Sequence, residues 1–193
     1  MMGKDFDNPF GRTTKKGTPI QMSSILDSGV FPGMQGGPLE HVIAAKAIAF
    51  NESLQPSFKE YGEQVVKNAH AMADELTQRG YDLISGGTDN HLMLIDLRSK
   101  GITGKLADKA LGEAEITVNK NMIPFDPQPA MTTSGIRIGS AAITTRGFKE
   151  AECRKVIEWM DAVLSNPEDP RNLAKVRREV NNFMKTYPLY RRN

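Results

Sequence analysis

Arg137 sits in the short alternating run Ser134-Gly135-Ile136-Arg137-Ile138-Gly139. Alternation puts Ile136 and Ile138 on one strand face and Arg137 on the other. A guanidinium fork matches a carboxylate in bidentate geometry, so Arg137 could clamp an amino acid. A solvated strand arginine fits the same pattern, although the glycines on both sides would leave room for a ligand. Gly36 and Gly37 precede a helical pattern, so their backbone N–H groups can converge on an anion at the positive end of the helix dipole. A plain tight turn entering a helix fits equally, and the spacing matches neither a Walker-type phosphate loop nor a dinucleotide fingerprint. Asn119-Lys120-Asn121 ends a strand, where an amide can both donate to and accept from a ligand. Asparagine in a turn also commonly serves the turn itself. His91, in Thr88-Asp89-Asn90-His91, opens a strand beside a glycine turn and reads first as a core or surface histidine.

No self-contained catalytic set accompanies these residues. There is no Ser–His–Asp arrangement, and the three histidines, His41, His70 and His91, are far apart without ligand spacing. The single cysteine, Cys153, excludes an intramolecular disulfide and a cysteine metal cluster. Within a helical pattern it is most simply a small apolar residue. From the residues alone, the chain is a ligand-binding α/β piece with candidates for an anion, a carboxylate and a polar heterocycle.

The elements that must position these groups follow from hydrophobic period and turn residues. Residues 1–27 are polar and loop-like, with Gly11, Gly17 and Pro19 as breakers. A glycine-rich turn at residues 31–38 leads to a helix over residues 39–54 that starts at Pro38. Leu39, Val42, Ile43, Ala47, Ile48 and Phe50 cover much of its circumference, which predicts deep burial. A second helix spans residues 57–79, with Phe58, Tyr61, Val65, Ala69, Met72 and Leu76 at helical spacing and Gly80 as its cap. The joint at Leu54-Gln55-Pro56 predicts two parts, residues 1–54 and residues 55–193. The second part alternates: strands at 81–85 and 91–97, a helix capped by Thr103 to about Ala114, strands at 116–119 and 135–139, a helix capped by Thr145, and a last helix over 171–185. That order predicts a small sheet covered on one face by helices, an α/β or α+β domain.

Bulk properties constrain partners. With 25 basic and 23 acidic residues the net charge is +2, which gives no general pull toward nucleic acid or anionic membrane. The greasiest stretch, residues 42–50, is short and broken by Lys46, so no span across a bilayer is expected. Lys4, Asp5 and Asp7 do not make a secretory leader. These features lead to an expectation of a cytoplasmic protein.

At the motifs themselves the chain resembles serine hydroxymethyltransferases. The resemblance rests on Val30-Phe31-Pro32-Gly33-Met34-Gln35-Gly36-Gly37-Pro38-Leu39, Ser85-Gly86-Gly87-Thr88-Asp89-Asn90-His91-Leu92, Ile116-Thr117-Val118-Asn119-Lys120-Asn121 and Thr133-Ser134-Gly135-Ile136-Arg137-Ile138-Gly139. These stretches occur in the family's order and spacing, with Arg146-Gly147-Phe148 following. The resemblance implies a fold-type I, pyridoxal 5'-phosphate-dependent transferase, a homodimer or dimer of dimers. It would interconvert serine plus tetrahydrofolate with glycine plus 5,10-methylenetetrahydrofolate. By that resemblance Gly36 and Gly37 touch the cofactor phosphate, in a loop that reaches the neighbouring subunit's site. Arg137 holds the substrate carboxylate, Asn121 contacts the folate pterin, Phe31 lines the folate site from the partner chain, and Gln128, Pro129 and Ala130 form a folate-side loop.

One departure matters. In the family a Thr-rich stretch ending in His-Lys, whose lysine forms the Schiff base, precedes the Met-Gly-Lys-Asp region. Lys4 and Lys15 have none of that context. The expectation is therefore a C-terminal fragment, in which residues 1–54 are a remnant of the large cofactor-binding domain and residues 55–193 the small domain. Such a chain lacks a catalytic residue of its own and is inactive without its other half. A non-catalytic module that binds folate or a partner is the alternative.

Overall fold

The structure is a computed structural model that describes residues 4–189. Residues 1–3 of the opening segment and 190–193 of the expected second part lie outside the described residues. The chain divides into two compact units, with the boundary in sequence between Glu52 and Ser53.

In the first unit the polar segment folds around Asn8. Its Nδ2 donates to the carbonyls of Arg12 at 2.8 Å and Ile20 at 2.6 Å, and its Oδ1 accepts from the amides of Phe10 and Arg12. Isolated bridges pair Asp7 with Gln21 and Thr13 with Pro19. Helix α1, Met22–Val30, follows. Sequence pattern places only loop there, because the helix has no local cap. Its first turn is instead held by Asp5, whose carboxylate accepts from the Ser23 amide and, at 2.6 Å, from its hydroxyl. Helix α2, Glu40–Ser53, carries apolar residues around much of its circumference and has no buried residue. Ile43, Ile48 and Phe50 are 57%, 62% and 68% exposed, contrary to the predicted deep burial. A helix so apolar needs neighbours around it to be buried, and among the described residues nothing buries its large side chains.

The second unit begins with α3, Pro56–Gln78, which opens on proline at its first turn and buries Val65, Ala69, Met72 and Leu76 along one stripe. Four strands follow in an antiparallel sheet of order β1-β2-β4-β3: β1 Asp82–Leu83, β2 Leu92–Asp96, β3 Asn119–Asn121 and β4 Gly135–Gly139. Between them lies α4, Gly104–Glu113, whose N-terminal amide at Leu106 donates to Thr103 Oγ1 at 3.2 Å, the cap that the sequence predicts. After β4 come α5 Ala141–Thr145, α6 Glu150–Ser165 and α7 Pro170–Met184. Met93, Ile95, Ile136 and Ile138 point from the sheet into a core with Phe148, Ile157, Trp159 and Met160. This is the predicted small α/β domain, with helices packed on one face of the sheet.

Local differences have local causes. The strand expected at 81–85 stops after Leu83, because Ser85 takes φ 65° within a 3-10 turn at Ile84–Gly86. The strand expected at 116–119 forms later, at Asn119–Asn121, while Ile116 and Val118 pack partly buried against the core. Thr145 does not cap the helix expected after it: it ends the short α5, and Gly147, with φ 96°, separates α5 from a second helix, α6, that starts only at Glu150. The second is entered through the Lys149 amide, which donates to Glu152 Oε2 at 2.9 Å. Thr145 instead shares a hydrogen bond with Tyr61 Oη at 3.0 Å. Asn68, buried inside α3, donates to Thr144 Oγ1 at 2.8 Å and to the Phe148 carbonyl at 2.9 Å, which ties α3 to this break.

Candidate functional site

Sheet register decides which polar groups meet. Arg137 pairs with Leu94 of β2 on one side and with Asn119 of β3 on the other. Residues directly opposite share a face, so Arg137 and Asn119 stand side by side, and Asn121 follows one alternation along. Ile136 and Ile138 are buried on the opposite face, while Arg137 and Asn119 are exposed and Asn121 is half-buried. The sheet thus brings Arg137 and Asn121 onto one open face.

A carboxylate that register puts on that face is already committed. Asp96 pairs in register with Gly135, but its oxygens accept from Arg98 Nη2 at 2.7 Å, from Arg98 Nε and from the Arg98 amide. The hydrogen-bonded Arg98 guanidinium holds the Asp96 carboxyl below its usual range. The Arg137 guanidinium has no acidic or hydrogen-bonding partner among the described residues. A guanidinium left unpaired beside a committed carboxylate is available to an external carboxylate.

The flanking glycines do not provide the ligand space that the sequence suggests. A Cβ at Gly135 would lie 2.7 Å from Ile123 Cγ2 and 2.7 Å from the Ile95 carbonyl oxygen. One at Gly139 would lie 3.0 Å from the His91 carbonyl oxygen. Their bareness admits neighbouring protein atoms, and the open side of Arg137 is set by strand alternation.

Asp126 shapes the loop carrying Gln128, Pro129 and Ala130. Its carboxylate accepts from the amides of Ile123 at 3.1 Å, Gln128 at 2.9 Å and Ser134 at 2.8 Å, and from the Ser134 hydroxyl at 2.6 Å. Desolvation raises its pKa, but these donors, led by the Ser134 hydroxyl, outweigh it and hold the carboxyl well below the ordinary range. The Pro129 carbonyl accepts from the Thr132 and Thr133 amides, so the loop turns straight back into β4. Gln128, Pro129 and Ala130 remain exposed. Asn121 Nδ2 donates to the Met122 carbonyl at 2.8 Å, leaving its Oδ1 free to accept. The His91 side chain is exposed, and its carbonyl accepts from the Ser140 amide at 2.9 Å. Sequence reasoning passed over Asp126 and the Asp96–Arg98 pair. The Asp126-Pro127 step carried a turn signal for the first, whereas nothing local marked the second.

Phe31, Gly36 and Gly37 belong to the first unit. Phe31 follows α1, with its amide donating to Asp27 at 2.8 Å and its ring exposed. Gly36, Gly37 and Lys46 line an open hollow of about 540 Å³ at the start of α2. No atom lies within 4 Å of a Cβ position at either glycine, so the backbone there is approachable. A phosphate fits these residues: bare amides, a helix N-terminus and an ammonium line one hollow.

Compared with known families, residues 9–160 match the family model for serine hydroxymethyltransferase. That is well over half of the chain. The chain belongs to the serine hydroxymethyltransferase family. The family is of fold type I, and its members generally depend on pyridoxal phosphate and folate. The matched region runs from within the Asn8-centred loop into α6 and includes every candidate named above. Among the described residues no group of three or more His, Cys, Asp or Glu could hold a metal ion, and no helix is long and apolar enough to cross a membrane.

Proposed function

We propose that this chain supplies the substrate-carboxylate and folate contacts of a serine hydroxymethyltransferase, with the Schiff-base lysine on sequence outside it. The reaction is the interconversion of serine and tetrahydrofolate with glycine and 5,10-methylenetetrahydrofolate. The observation that carries this reading is the unpaired Arg137 on an open sheet face, beside an Asp96 already bound to Arg98. Arg137 would take the carboxylate of serine or glycine in a bidentate pair and so fix which bond at the α-carbon faces the chemistry. Asn121, with a free Oδ1 on the same face, would accept from an N–H of the pterin.

Phe31 and the loop at Gln128, Pro129 and Ala130 would border the folate. The amides of Gly36 and Gly37 would hold the phosphate of pyridoxal 5'-phosphate, in the neighbouring subunit of a homodimer or dimer of dimers. When bound, that cofactor supplies an electron sink for cleavage at the amino acid's α-carbon. Residues 1–54 would belong to the large cofactor-binding domain and residues 55–193 to the small one. None of the chain's histidines is followed by lysine, so no lysine here has the family's catalytic context. The bare apolar surface of α2 favours association with further polypeptide over an independent binding module.

The test is reconstitution with a polypeptide that carries the family's N-terminal portion and its His-Lys motif. The pair should form glycine from serine in a folate-dependent way. Arg137→Ala should raise KM for serine roughly a hundredfold, the usual scale for removing one partner of a desolvated charge pair. Arg137→Lys should recover only part of it, because lysine lacks the fork. An unchanged KM for serine in Arg137→Ala would refute the assignment.

A further inference from the structure

On the side of β4 opposite Arg137 the core leaves an opening. Ile138, Ile116, Val118, Phe148, Val156 and Trp159 help to enclose an apolar cavity of about 290 Å³. At the liquid volume of a water molecule, this is room for about ten waters. Its walls offer them few hydrogen-bond partners, so an apolar occupant is favoured over solvent.

Two charged side chains border the cavity, Glu115 and Arg146. Glu115 accepts from Arg177 Nε at 2.7 Å, and the Arg177 guanidinium holds its carboxyl below the ordinary range. Its charge is thereby neutralised. Arg146 is half-buried, and its one side-chain hydrogen bond among the described residues runs from Nη1 to the Tyr187 carbonyl at 3.0 Å. No carboxylate pairs with it among those residues, so its remaining donors are available. Among the described residues, the mouth of this apolar chamber therefore carries one uncompensated positive charge.

We propose that this cavity binds a small amphipathic carboxylate, its apolar tail among Ile138, Val156 and Trp159 and its head group on Arg146. An unbranched acid of about ten non-hydrogen atoms matches the volume. The site is distinct from the amino-acid and folate contacts, because Ile138 and Arg137 point to opposite faces of the same strand.

Trp159 is the single tryptophan of the chain and lines the cavity, so its emission reports on occupancy directly. The full chain, at low concentration, is titrated separately with octanoate, methyl octanoate and 1-octanol. Octanoate should give a saturable emission change and raise the thermal midpoint, with a dissociation constant about tenfold below those of the uncharged analogues, the scale of one charge-assisted pair. Arg146→Gln should abolish that preference, and Arg146→Lys should keep most of it. Val156→Phe, which fills the cavity, should weaken all three ligands, with far-UV circular dichroism confirming that it folds. A non-saturable response, equal affinity for octanoate and methyl octanoate on the unaltered chain, or octanoate binding untouched by Val156→Phe would each overturn the proposal. The comparison of acid with ester needs no variant, so it decides the matter even if a substitution unfolds the domain.

Discussion

Arg137 and Asn119 are direct cross-strand partners, one on β4 and one on β3, on the face of the sheet that carries no core. The pairing has a mechanical consequence. Whatever fixes the β3–β4 register also fixes the distance from Arg137 to the neighbouring amides, because a slip of one residue would turn Arg137 into the core and Ile136 to solvent. Two features set that register: the entry to α4, and the Asp126-centred loop between the strands.

The entry to α4 is set by Gly104. Its amide donates to the Thr133 carbonyl at 2.9 Å, and a Cβ there would collide with the Thr133 hydroxyl and the Gly135 carbonyl. Gly104→Ala should therefore destabilise the chain by about 1–3 kcal/mol, the usual cost of overpacking, seen as a lower thermal midpoint. Gly112 lies in the same helix with nothing within 4 Å of its Cβ position. Gly112→Ala should stabilise by up to about 1 kcal/mol through helix propensity alone. Equal effects at the two positions would show that close packing at Gly104 is not the cause.

The loop should respond to acid. The folded Asp126 carboxyl titrates well below its ordinary value because the folded loop supplies donors to the charged form. Its contribution is thus fully present above the unfolded-state value near pH 4 and is lost as pH falls toward the folded value. In an NMR pH titration, the Gln128 and Ser134 amides should stay unchanged through pH 4 and shift only at lower pH. Asp126→Asn should loosen residues 122–134 at neutral pH, with faster amide exchange there than in β2.

How much of this was readable from sequence depends on the range of the interaction. The alternation at residues 135–139 fixes the Arg137 face, because the side-chain period of a strand is a local property. Thr103 as a cap is also local, and it holds, whereas Pro56, read as part of a joint, opens α3 itself. The Asp96–Arg98 pair, which leaves Arg137 available, depends on rotamers that no pattern encodes. The same is true of the roles of Gly135 and Gly139, which admit Ile123 and neighbouring backbone arriving from elsewhere in the chain. Helix α1 escaped notice because Asp5 caps it from a distant loop position. The break between α5 and α6 is visible as Arg146-Gly147 only once Asn68 is known to bind Thr144 and the Phe148 carbonyl.

Helix α2 predicts behaviour in solution. Val42, Ile43, Ile48 and Phe50 expose large apolar side chains on one helix, and a surface of that kind promotes association. By light scattering, the chain alone should self-associate with increasing concentration. Ile43→Glu combined with Ile48→Lys should reduce that association without altering the thermal midpoint of the second unit. A strictly monomeric chain at high concentration would contradict this.

The most direct measurement concerns the lysines. The chain is incubated with pyridoxal 5'-phosphate, with and without serine, reduced with borohydride, and mapped peptide by peptide. If the Schiff-base lysine lies outside this chain, labelling should be scattered over exposed lysines at low stoichiometry and be indifferent to serine. One lysine labelled near one-to-one, with its labelling altered by serine, would show that the chain carries the group that performs the chemistry, and would contradict its assignment as the binding part of the site.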